Sequence, residues 1–112
     1  MNLILSIIIV HWIADFVSQS DYVAKNKSKR NDILGCHAGV YTLEFLIFGW
    51  KFAFINGVIH FCVDYFTSRW SSRLWAKGKV HNYYVVIGLD QLIHTATLIA
   101  TSGLITFWGI QG

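Results

Sequence analysis

Four apolar stretches, at about residues 2–18, 34–50, 52–68 and 83–108, take up most of this 112-residue chain, and each holds ionisable side chains. An apolar segment about 17 or more residues long can satisfy its own backbone polar groups in lipid only as a helix. The composition agrees: 54% of residues are hydrophobic, 16% aromatic and 13% charged, with no proline. An ordinary soluble domain carries about 25% charged residues. A soluble four-helix bundle would need a polar face on every helix, and too few polar residues remain to supply them. The expectation is an all-α chain, one domain over residues 1–112, forming a polytopic membrane protein with a four-transmembrane-helix bundle. The first stretch, Leu3–Val10, has no basic residue before it and no small-residue cleavage site after it, so it reads as a retained helix.

The connections orient the bundle. Residues 19–33 carry Lys25, Lys27, Lys29 and Arg30, and residues 67–82 carry Arg69, Arg73, Lys77 and Lys79; Lys51 alone lies elsewhere. Lys and Arg mark the cytoplasmic side, which puts both basic loops inside and both termini outside. The net charge of +3 therefore speaks to topology, and no nucleic-acid partner is expected. Tyr22, Tyr65, Trp70, Trp75, Tyr83 and Tyr84 fall near the inner boundary, Trp50 and Trp108 near the outer one. Residues 69–80 suit either a short interfacial helix or a solvated loop, with Lys25, Lys27, Arg69 and Arg73 attracting anionic lipid or substrate. Cys36 and Cys62 lack C-x-x-C spacing and lie in or beside the expected spans, so they read as buried free thiols, Cys36 adjoining His37.

Three of the five histidines have an aspartate four residues away inside these apolar stretches: His11/Asp15, His60/Asp64 and Asp90/His94. Four residues is one helical turn, so each pair shares a face. The order inverts in the last pair, and so does the direction of its span. Every aspartate then lies nearer the cytoplasm and every histidine roughly 6 Å deeper. His37 brings a fourth imidazole to the same half of the membrane. Gln19, Glu44, Asn56 and Gln91 extend the polar stripes as surrounding groups, and Tyr41 follows His37 by one turn.

Burying ionisable groups in lipid costs several kcal/mol, so they must face one another. Polar contacts that fasten helices together, or a proton relay, would also bury such pairs. A divalent metal accounts for more of the pattern, because imidazole and carboxylate suit zinc first and manganese or iron next. The expected ligands are His11, His37, His60, Asp64, Asp90 and His94, enough for one or two ions. Asp15 and Asp64 are the carboxylates expected to act as general base.

The segments H-W-I-A-D-F-V-S-Q-S-D-Y-V-A-K-N-K (His11–Lys27), H-F-C-V-D-Y (His60–Tyr65) and D-Q-L-I-H (Asp90–His94), with the isolated His37, resemble a family of small bacterial and phage membrane proteins of unknown function. In short form the motifs are H-x-x-x-D-F-x-x-Q, H-x-x-x-D and D-Q-x-x-H, and they cover nearly the whole chain. In pattern alone the chain is also similar to bacterial membrane-bound metal-dependent hydrolases induced by DNA damage. That resemblance implies hydrolysis. The expected function is thus a membrane-embedded His/Asp metal protein, a metal-dependent hydrolase of a phosphoester or lipid-linked phosphate at the cytoplasmic face. An oligomeric metal-ion or proton transporter, and a phage-type interaction protein without catalysis, are the alternatives, and a homo-oligomer is compatible with each.

Overall fold

The computed structural model describes residues 2–106, and these are all helix, turn and bend. Helix α1 (Leu3–Trp12) starts at Asn2, whose side-chain oxygen accepts from the backbone N–H of Ile4 and Leu5. It then widens into a π-helical turn, Ile13–Val17. Ser20 caps the short helix α2 (Asp21–Asn26) by accepting from Val23 N–H at 3.2 Å. Helix α3 (Asn31–Phe45) ends in a 3-10 turn, Leu46–Phe48. Gly49 follows at φ +118°, a backbone region that side-chain-bearing residues rarely enter, and it reverses the chain into α4 (Trp50–Ala76). Helix α5 (Val80–Ala100) completes the set, followed by a 3-10 turn, Ser102–Leu104.

Helices α3 and α4, and α4 and α5, pack as consecutive neighbours, and α1 closes the ring by touching both α3 and α5. One end of the interior is apolar, with Ile7, Tyr41, Phe45, Phe48, Phe52 and Leu98 packed together. The rest is polar. Among the described residues, twelve polar or ionisable side chains are buried against eleven hydrophobic ones. The outside is the reverse: Leu43, Phe54, Phe66 and Leu92 are each at least 62% exposed, and large apolar side chains stand out along α1, α3, α4 and α5 alike.

The all-α expectation holds, but several boundaries differ. By length and composition, among the described helices only α5 is long and apolar enough to cross a membrane. The apolar run Leu3–Val17 is shorter, α3 has 15 residues, and α4 dilutes its length with Lys51, Asn56, His60 and Asp64. The stretch expected as a second basic loop, 67–82, is mostly helix, because nothing breaks α4 before Gly78; the interfacial segment 69–80 is largely its continuation. The first basic loop, 19–33, contains α2 and the start of α3. The last span, expected over 83–108, corresponds to Val80–Ala100, and Trp108 lies outside the described residues. Cys36 and Cys62 are exposed and not buried, since each falls on the outer side of its helix.

Candidate functional site

The four main helices aim their ionisable residues at one interior region. On α1 the π turn places Asp15 toward α3, where its Oδ1 accepts from His37 Nε2 at 2.9 Å. The partner expected one turn away, His11, stands at 3.9 Å, a looser contact because the wider turn breaks the α-helical register. His60 and Asp64 on α4 approach to 3.7 Å, and Asp90 and His94 on α5 to 3.1 Å. His60 stacks on the Tyr41 ring at 4.0 Å between centroids, and the His94 and His37 rings lie tilted against it at 4.2 and 4.9 Å.

Gln91 clips α5 to α1. Its amide nitrogen donates to Asp15 Oδ2 at 2.9 Å and Asp90 Oδ2 at 3.1 Å, while its oxygen lies 2.8 Å from His11 Nε2. That oxygen can only accept, so His11 carries its proton on Nε2 and its Nδ1 takes the Tyr41 hydroxyl at 3.0 Å. Both ring nitrogens of His11 are therefore engaged. Thr67 donates to Asp90 Oδ1 at 2.5 Å.

Three sets of ligand atoms lie within 4.8 Å of one another: Asp15/His37/His60, His60/Asp64/His94 and Asp15/Asp90/His94. One set differs in kind. Both nitrogens of His60, Oδ2 of Asp64 and Nε2 of His94 are buried without a hydrogen-bond partner. His94 Nε2 is near Asp90, but out of line for a hydrogen bond. Leaving a buried polar atom unpaired costs about 1–3 kcal/mol, and the two ring nitrogens of His60 are the clearest case in that trio. Asp64 Oδ2 is ion-paired with Lys27, whose Nζ lies at 3.0 Å, and has His37 and His60 Nε2 each at 3.7 Å.

A cavity of about 570 Å³ opens beside this cluster. Asp15, Asp64 and Asp90 line it and none of the histidines does, so the carboxylates form the front of the site and the imidazoles its back. This matches the layered order expected from pair direction. Gln19 and Gln91 also face the cavity, as do Lys25, Lys27 and Lys29.

The remaining expected residues go elsewhere. Glu44 accepts from Ser18 at 2.9 Å and belongs to none of the three sets. Asn56 bonds Thr101 Oγ1 at 2.8 Å. Arg69 lies 3.8 Å over the Tyr65 ring and reaches Asn31, and Arg73 borders a separate groove with Phe66 and Trp70. Outside the bundle, Arg30 grips Asp32 through two nitrogens, which lowers the Asp32 carboxyl below its ordinary range. Sequence reasoning missed Lys29, Thr67 and Ser68. The last two had a legible signal, since they follow Asp64 by three and four residues on the same face of α4.

The fold and site define a helical bundle with an ionisable His/Asp centre inside and an apolar exterior. The chain belongs to a protein family of unknown function, DUF3307, whose profile matches residues 3–110. No curated protein and no solved structure matches it.

Proposed function

We propose that this chain is a membrane-embedded His/Asp metal-binding protein of the bacterial cytoplasmic membrane. In this reading it acts as a metal-dependent hydrolase on a phosphoester or lipid-linked substrate that enters from the cytoplasmic side. The observation that carries the metal is the trio His60, Asp64 and His94, whose ligand atoms converge around an imidazole with no hydrogen-bond partner on either ring nitrogen. Three protein ligands with a fourth position open is the pattern of catalytic zinc, and the ion would lower the pKa of a bound water and polarise an ester oxygen. Asp15 lines the cavity and is steadied by His37 and Gln91, which suits it to receive the proton. His37 and Asp90 complete the other two sets and would serve a second ion.

Membrane embedding is supported by the distribution of polarity, with a His/Asp cluster inside and large apolar side chains exposed on every long helix. Hydrolysis is favoured over transport by the far end of the interior. There Phe45, Phe48 and Phe52 fill the bundle, so the cavity ends blindly within a single copy.

The test is metal content and turnover of the full chain purified in a maltoside detergent. Mass spectrometry should find about one to two zinc, manganese or iron ions per chain, falling below about a tenth of that in His60→Ala. Asp15→Asn should keep the ion held by His60, Asp64 and His94, lose any second one, and lose phosphoester hydrolysis by about 100-fold or more. A metal-free wild type would sink the reading, and metal flux into liposomes with no hydrolysis would favour the transporter.

A further inference from the structure

The cavity has a second wall whose chemistry the metal does not use. Lys25, Lys27 and Lys29 line it from the α2 segment, and Ser68 lines it from α4. Ser68 is only 8% exposed, and its hydroxyl has no hydrogen-bond partner. Its neighbour Ser71 is already committed, donating to the Ser68 backbone carbonyl at 3.1 Å. A buried hydroxyl without a partner and three ammonium groups on the lining of one cavity form a donor set of which Lys27 alone has its acceptor, Asp64, in place.

We propose that Lys25, Lys27, Lys29 and Ser68 form a subsite for a phosphoryl anion, with Lys27 as its moving part. Lys27 now rests on Asp64 at 3.0 Å. A divalent ion on Asp64 competes for that carboxylate and releases the ammonium, which turns to the anion in the same cavity. Metal and phosphoryl group therefore enter together, each removing the charge that opposes the other. This rests on the metal reading for its charge balance, because three aspartates on the cavity wall would otherwise repel an anion. A phosphoryl group fits better than a carboxylate: it offers enough oxygens for several ammonium groups and a hydroxyl, and lysine binds phosphate as a point charge. The cavity is several times larger than a phosphate, and Trp75, Tyr83 and Tyr84 on its lining suit the remainder of an amphiphile.

The full chain in maltoside detergent and phosphate-free buffer is titrated calorimetrically with inorganic phosphate and with dihexanoyl phosphatidic acid. Each titration is run on metal-stripped and zinc-loaded protein. Phosphate should bind, at least tenfold more tightly with zinc, and at least tenfold more weakly in Lys27→Gln and several-fold in Ser68→Ala. Lys27→Arg should retain binding, which separates loss of charge from loss of fold. Tighter binding of phosphatidic acid than of phosphate would identify a lipid headgroup as the source, and equal binding a free phosphate; either supports the subsite. If zinc binds but neither phosphate compound does, or if Lys27→Gln and Ser68→Ala bind phosphate like the wild type, the subsite is wrong while the metal centre stands. If zinc fails to bind but phosphate still binds in a Lys27-dependent way, the metal centre fails and the subsite survives.

Discussion

His11 and His60 each begin an H-x-x-x-D pair, yet only His60 keeps its ring nitrogens free. His11 gives one nitrogen to Gln91 and the other to Tyr41, which makes it a joint between α1, α3 and α5. The two residues should therefore answer differently to the same substitution. His11→Ala should leave bound metal close to the wild-type amount and lower stability by about 1–3 kcal/mol, because Gln91 and Tyr41 lose a buried partner. His60→Ala should lose the metal. Metal content and thermal unfolding of both variants, measured side by side, check this; metal loss in His11→Ala would make His11 a ligand after all. Residue spacing singled out the three His/Asp pairs, and position in the second apolar stretch singled out His37, but neither could sort ligand from joint. That distinction depends on what the facing helix offers, and Gln91 and Tyr41 lie on other helices.

The elements meet closely at one point of the ring. A methyl group on Gly57 of α4 would overlap the Thr42 side chain of α3, whose hydroxyl bonds the Ala38 carbonyl. Gly57→Ala should cost about 1–3 kcal/mol, in the range of overpacking a tight interface. Adding Thr42→Ala should recover most of the loss, read as the unfolding midpoint in detergent. If the double variant is no more stable than Gly57→Ala, the close approach is not the cause. At this scale the helices themselves were legible, because apolar runs and the basic interruptions between them mark where each begins. The π turn was not. Nothing in I-A-D-F-V distinguishes it from α-helix, and it exists because Asp15 gains His37 and Gln91 by leaving the register of His11. The length of α4 was misjudged for the opposite reason. Its basic final turns look like a loop by charge, but helix continues wherever no residue opposes it.

Among the described residues the bundle buries its His/Asp cluster and exposes many large apolar side chains, and one substitution distinguishes what surrounds it. Leu92 on α5 is 65% exposed. In water, Leu92→Arg at such a position should change stability by no more than about 0.5 kcal/mol. In lipid it should cost about 2.5–3.5 kcal/mol near the helix centre, seen as a sharp fall in membrane-integrated protein after expression. Unchanged yield and solubility would overturn the membrane reading. The sequence by itself determined that this chain is helical, that its polar groups come in one-turn pairs, and that the aspartates lie on one side of the histidines. Those properties follow from spacing and direction along single helices. Only the tertiary structure decided that both ring nitrogens of His60 stay unpaired, that Lys27 reaches Asp64, and that a cavity opens at the carboxylates. Each of these is set by the register between helices, which no periodicity within one helix constrains.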